Sequence, residues 1–202
     1  MYALVENNQI TKLINNPKSL VIGDVNYPAK IFSVWSQSEL NAIGIYEVIT
    51  DSTNKKDEKW YINTNESYAF ADNQVTRSWG SATAKAHADT LFTAQDEIDG
   101  KGTEGEIKSR GLKYNLIQNI KKQAAGILQD TDWYIIRKAD AGTAVPSAIT
   151  THRAAVRTKA DEMETAITNA SDTPALESLY TYTEQDDGSV TRPLGELPIL
   201  ES

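Results

Sequence analysis

An α+β fold is what the sequence predicts: a small antiparallel β-rich N-terminal domain, then a two-helix antiparallel hairpin module, then a short C-terminal β-hairpin and tail. Two patterns and one interruption carry this. Residues 1–79 alternate apolar and polar positions between closely spaced turn formers, the period of half-buried strands. Two later segments, about residues 106–129 and 146–169, instead repeat apolar residues at three- and four-residue spacing, the period of an amphipathic helix. Between the strand-like part and the helical part, residues 80–105 are rich in Ala, Thr, Asp and Gly and read as a linker or projecting loop. The organisation is therefore 1–79, 80–105, 106–183 and a tail over 184–202.

Tyr2 to Val5 and Gln9 to Ile14 read as strands joined at Asn7-Asn8, a residue type that tolerates the left-handed turn conformation. Asn15-Asn16-Pro17 ends the hairpin, and Leu20 to Ile22 begins another apolar run before Gly23-Asp24. Ser36 or Ser38 can cap a short helix with Glu39 in its first turn, Leu40 and Ile43 on one face, and Gly44 as its stop. Ile45 to Thr50, Trp60 to Asn63 and Ser67 to Arg77 follow as strands of one compact antiparallel sheet. Ala82 to Leu91 is alanine-rich and predicts a short helix.

Leu112, Leu116, Ile120, Ala124 and Ile127 or Leu128 define the first long helix, from about Glu106 to Gln129. Asp130-Thr131-Asp132 is a turn, Trp133 to Ile136 is apolar, and Pro146 suits the first turn of the second long helix, which runs to Asn169. Its stripe is Ile149, Val156, Ala160, Met163 and Ile167, which leaves Arg153 and Arg157 for solvent or a partner. Each helix covers only one side of the other, so Trp133 is placed to plug the open end of the shared core. Ala175 to Leu179 predicts one further helical turn, Tyr180 to Thr183 a strand, and Asp187-Gly188 a hairpin. Leu194, Leu197, Ile199 and Leu200 then dock on another surface or fold back on their own domain.

The 202 residues carry 20 Lys+Arg against 28 Asp+Glu, a formal charge of −8 that disfavours polyanionic partners. The excess is acidic in both halves: residues 1–78 hold 7 basic and 9 acidic groups, the rest 13 and 19. With no cysteine, disulfides, thiolate metal sites and cysteine nucleophiles are excluded. No apolar run approaches the roughly 20 residues that span a bilayer, and the N-terminus lacks the pattern of a secretory signal.

Candidate chemistry is sparse. His87-Ala88-Asp89 offers two metal ligands without a third, and His152 beside Arg153 is either an acid–base group or a flanking, partner-facing histidine. Asp96 to Glu106 is acidic and glycine-rich but misses calcium-loop spacing, because Ile98 and Gly100 occupy ligand positions. Gly100, Gly102 and Gly105 match no phosphate-binding fingerprint. Trp60-Tyr61 and Trp133-Tyr134 are core anchors or a glycan or peptide groove.

The segment Thr131-Asp132-Trp133-Tyr134-Ile135-Ile136-Arg137-Lys138, followed by Gly142-Thr143-Ala144-Val145-Pro146 and by Thr151-His152-Arg153-Ala154-Ala155-Val156-Arg157, resembles bacteriophage tail-fibre assembly and tail-associated virion structural proteins, in particular those of phages infecting marine bacteria. Similarity extends over roughly residues 106–175, with weaker likeness at the N-terminus and at Trp35 to Val48. His152 stands where those proteins carry tyrosine. The resemblance implies a noncatalytic role at the virion tail, made in the host cytoplasm: a structural component of the baseplate or fibre-attachment region, or an assembly chaperone absent from the mature particle.

The implied partners are other tail or tail-fibre proteins, with several copies around a symmetric tail, and no nucleic acid, membrane, metal or cofactor. Trp133, Tyr134, Arg137, Arg153 and Arg157 are the interface candidates, because aromatic residues and arginine dominate binding hot spots. A glycan-cleaving tail enzyme is the remote competitor, and no carboxylate pair is singled out for it.

Overall fold

The structure, a computed structural model, describes residues 1–200 and combines helices with a five-stranded sheet and small hairpins in an α+β architecture. It divides into two compact units, Met1–Thr83 and the chain from Ala84 onward.

In the first unit β1 (Tyr2–Glu6) and β2 (Gln9–Ile14) form the opening hairpin. Asn7 and Asn8 turn it with φ of 51° and 61°. A second hairpin joins β3 (Leu20–Ile22) to β4 (Val25–Tyr27). One turn of helix, α1 (Ile31–Val34), leads to α2 (Gln37–Ala42). Ser36 caps α2 in a reciprocal box with Glu39, whose carboxyl is held below its ordinary range by the Ser36 hydroxyl and N–H. Gly44 follows at φ 83°, and a Cβ there would lie 2.6 Å from the Val5 carbonyl oxygen, so only glycine fits.

β5 (Ile45–Thr50), β6 (Tyr61–Ile62), β7 (Ser67–Ala71), β8 (Gln74–Ser78) and the boundary strand β9 (Thr83–Ala84) complete this part of the chain. The main sheet runs β2-β1-β5-β8-β7, with β6 paired to β9 apart from it. The expected antiparallel sheet is corrected at one ladder: β5 and β8 are parallel, Val48 opposite Val75. The tight turn at Asp72 and Asn73, both at positive φ, pairs β8 with β7, and the excursion from Asp51 to Glu66 delivers β7 to the outside and β8 to the inside. Strand alternation then serves two cores. Leu4, Ile14 and Ile45 pack with Leu20, Ile31 and Leu40 in one cluster, and Ala3 and Val5 pack with Val75 in the other.

The helix expected over Ala82 to Leu91 does not form, and residues 80–105, expected as a linker or projecting loop, carry short elements. Ala82 to Leu91 holds only β9 and β10 (Thr90–Leu91), and α3 (Ala94–Ile98) and β11 (Ile107–Ser109) follow, β11 pairing back on β10. Ladder bonds claim Thr83, Ala84, Thr90 and Leu91 near the two ends of Ala82 to Leu91, and the run left between them is too short to sustain a helix. For the same reason the first long helix starts late, as α4 (Leu112–Gln129).

Gly111 stands at the start of α4 with its N–H on the Asp89 carboxylate, and a Cβ there would collide with the Ala88 carbonyl. After α5 (Asp132–Ala141) comes α6 (Ser147–Asn169), antiparallel to α4: Lys113 at one end donates to the Thr168 carbonyl, and Arg153 at the other to that of Leu128. Leu116, Ile120 and Ala124 are buried along α4, and Ile149, Val156, Ala160, Met163 and Ile167 along α6, the two stripes read from periodicity.

α7 (Thr173–Tyr180) is two turns, capped by Asp172, and includes Tyr180, so the strand expected from Tyr180 shrinks to β12 (Thr183–Glu184), paired with β13 (Val190–Thr191). The tail then folds back within the unit. The Leu194 N–H donates to the Leu179 carbonyl and its side chain is buried, while Arg192 pairs with Glu196 and Tyr182 donates to the same carboxylate. Ile199 and Leu200 stay exposed.

Candidate functional site

Three of the five expected interface residues come together on α5. Trp133 and Tyr134 stack with ring centroids 3.9 Å apart, and the Arg137 guanidinium lies 4.6 Å from the Trp133 ring and 5.4 Å from that of Tyr134. Spacings of four and three residues put Arg137 against both rings, and a cation on an indole face is attracted by the ring quadrupole. The sheltered Arg137 Nε has no hydrogen-bond partner, so the rings rather than an acceptor hold this group.

The plug assigned to Trp133 is corrected: its side chain is 49% exposed. α5 buries none of its ten residues, and Ile135 and Ile136 are 43% and 67% exposed. Asp132, Ile135, Ile136 and Ala139 share one face at the i, i+3, i+4, i+7 spacing and all are exposed, while Tyr134 and Arg137 are the half-buried pair on the other side. This reverses ordinary amphipathic order, since the isoleucines face water. The two isoleucines were legible only as part of an apolar run; nothing in a four-residue run says which way it points.

Arg153 is not a partner-facing residue. At 6% exposure it donates to the Leu128 carbonyl (2.7 Å), the Thr131 hydroxyl (2.6 Å) and the Asp132 carboxylate (2.8 Å). It ties the last turn of α4 to the first of α5, filling the corner that Trp133 was expected to plug. Leu128 has one of the carbonyls a helix C-terminus leaves without an intrahelical i+4 partner; it also accepts the Thr131 N–H and hydroxyl, and the negative end of the helix dipole favours a buried cation there. Arg157, one turn along α6, is exposed and separate from the α5 cluster. His152 is also buried on α6, which corrects its reading as a flanking, partner-facing group.

α5 is anchored at its ends. Asp132 lies in its first turn and Lys138 in its last, both matching the helix dipole, and Gly142 at φ 67° closes it with an N–H to the Lys138 carbonyl. Comparisons with protein-family models, with curated proteins and with solved structures found no match.

The remaining sequence candidates have structural partners. Trp60 and Tyr61 are core residues, under 6% exposed. Asp89 holds the Gly111 N–H and Arg110, which keep its carboxyl below the ordinary range. Asp96 is lowered to about 2, first by the Lys108 ammonium and then by the Thr93 N–H and hydroxyl it receives. Among the described residues, every carboxylate that departs clearly from its ordinary pKa is lowered by such hydrogen bonds, the opposite of the raised value a general acid needs. Among the described residues no group of three or more His, Asp or Glu could hold a metal ion, and no helix is long and apolar enough to cross a membrane.

Proposed function

We propose that this chain is a noncatalytic structural component of a bacteriophage tail, acting in the baseplate or fibre-attachment region by protein–protein docking. The observation that carries the docking is α5: a ten-residue helix, within the segment that resembles tail-associated proteins, buries no side chain and turns Ile135, Ile136 and half of Trp133 to water. Isolated helices shorter than about 12 residues are marginal in water, so one this short and this uncovered gains most from a surface that covers it. Trp133 and Arg137 supply an aromatic and a guanidinium of the kind that concentrates binding energy. In this reading the helical unit packs on a copy or neighbour and the β-rich unit anchors to another tail or fibre protein.

Mass spectrometry of washed virions from a phage encoding the chain tests the proposal, with copy number scaled to the major capsid protein. A stoichiometric multiple of the tail symmetry is the expected result. Expression in infected cells without incorporation would replace it with the assembly-chaperone reading, and release of sugar from host envelope polysaccharide by the purified chain would replace it with an enzymatic one.

A further inference from the structure

We infer that the cleft between the end of β2 and the start of β3 binds an extended acidic segment of a partner protein, with carboxylates on Lys12 and Lys18 and an aliphatic side chain against Leu13. The site deepens the docking reading by giving the β-rich unit its anchor, and it rests on that reading only in taking the partner to be a protein. Asn15-Asn16-Pro17 bends the chain here, and residues on both sides of the bend line a cavity of about 350 Å³. That volume lies at the small end of the range for ligand sites, enough for a few side chains but not for a folded surface. Buried Ile14 and Leu20 and the exposed Leu13 give it apolar lining, and Asn15, Asn16 and Ser19 add amide and hydroxyl groups. Among the described residues these three polar side chains make no hydrogen bond within the chain, so their donors are left for a ligand.

Charge selects the occupant. From Asn7 to Gly23 the chain has no acidic residue, although its formal charge is −8. Glu6, just before, accepts the Thr11 hydroxyl at 2.7 Å, and Thr11 and Lys12 alternate to opposite faces of β2. The β1 residues opposite Lys12, Leu13 and Ile14 are Leu4, Ala3 and Tyr2, so the neighbouring strand supplies no carboxylate there. Lys12 and Lys18 accordingly have no ion-pair partner among the described residues. Other hollows on the chain differ in this respect: Asp130 and Glu196 line the one along α4, and Asp161, Glu162 and Glu164 those along α6. Two unanswered ammonium groups beside an apolar wall attract a carboxylate that carries an aliphatic neighbour.

The strand beside the cleft sets the form of the occupant. β2 is an edge of the main sheet, paired with β1 alone, and an edge strand presents main-chain N–H and C=O groups to a further strand. An extended segment laid along its end gains main-chain hydrogen bonds, while alternate side chains reach the cleft. Arginine and helix N-termini, the groups that favour phosphate, do not line the cleft, and a nucleic acid would meet an acidic chain.

Fluorescence anisotropy of the full chain with a short peptide of alternating glutamate and leucine, fluorescein-labelled at its N-terminus and amidated at its C-terminus, tests this. The expected Kd at about 20 mM salt is on the order of 100 µM, weakening about fivefold or more at about 0.3 M. Lys12→Gln and Lys18→Gln should each weaken binding about threefold and the double variant about tenfold. Lys30→Gln, at an exposed lysine outside the cleft, should leave it unchanged, and far-UV circular dichroism should show every variant folded. No binding up to about 1 mM chain overturns the inference, as does full affinity in the double variant or equal binding of the same peptide with glutamine for glutamate. Displacement by inorganic phosphate at the peptide's own concentration would replace the protein partner with a small anion. None of these outcomes touches virion incorporation, and absence from virions would leave peptide binding intact, so failure of this site and failure of the tail reading are separately visible.

Discussion

Replacing Arg153 distinguishes a structural clasp from a binding residue. Arg153→Ala removes three charge-assisted hydrogen bonds, to Leu128, Thr131 and Asp132, together with a buried aliphatic stem. Bonds of this kind contribute about 1.5–3 kcal/mol each in favourable cases, but here the losses are cushioned. The Leu128 carbonyl keeps the Thr131 hydroxyl at 2.9 Å, and Asp132, with a side chain 51% exposed, recovers water. The net cost is therefore about 3 kcal/mol, near the bottom of the range for breaking a buried ion pair, with the lost packing included.

For a unit of this size that corresponds to a fall of roughly 10 °C in Tm. Denaturation followed at 222 nm reads the helical unit, and Trp133 fluorescence reads α5, since the other three tryptophans, Trp35, Trp60 and Trp79, belong to the first unit. Arg153→Lys keeps the charge without the planar fork and should lose about half as much. The exposed Arg157→Ala should stay within about 0.5 kcal/mol of wild type. An Arg153→Ala protein equally close to wild type would refute the clasp and return Arg153 to the solvent-facing role expected from helical spacing.

Two glycines on the same stretch of chain should respond with opposite signs. Gly111→Ala drives a Cβ against the Ala88 carbonyl and should cost about 2–3 kcal/mol, whereas Gly126→Ala, inside α4 with open space where the added methyl would lie, should stabilise by about 0.5–1 kcal/mol; urea midpoints check both. Asp96 supplies a pH dependence. Its folded pKa of about 2 lies below the ordinary 3.8, so its contribution is complete above about pH 5 and is lost as pH falls toward 2. Asp96→Asn should lower the midpoint at about pH 6 and narrow the gap between about pH 6 and pH 2.5, and an unnarrowed gap would remove Asp96 from the acid response.

Local chemistry by itself determined much of this protein. The Asn7-Asn8 hairpin, the Ser36 cap with Gly44 behind it, and the facing stripes of α4 and α6 were all legible because each is fixed by residues within one or two turns of one another. The aromatic–arginine cluster was named residue by residue but its geometry was not legible, because Trp133 to Ile136 read only as an apolar run between two helices and the contact spacing with Arg137 arises once α5 forms.

Tertiary structure alone decided the rest. Whether β8 lies parallel to β5 depends on where the excursion from Asp51 to Glu66 returns the chain, which no local pattern encodes. Residues 107–109 joined a strand rather than a helix because Thr90 and Leu91 were there to pair with them. The sides taken by Trp133 and Arg153 were exchanged for a similar reason. The corner between α4 and α5 holds a helix-end carbonyl, a hydroxyl and a carboxylate, and a guanidinium donates to all three where an indole, with one N–H, could serve only one. Arginine took the interior, and the tryptophan with its two isoleucines was left facing water.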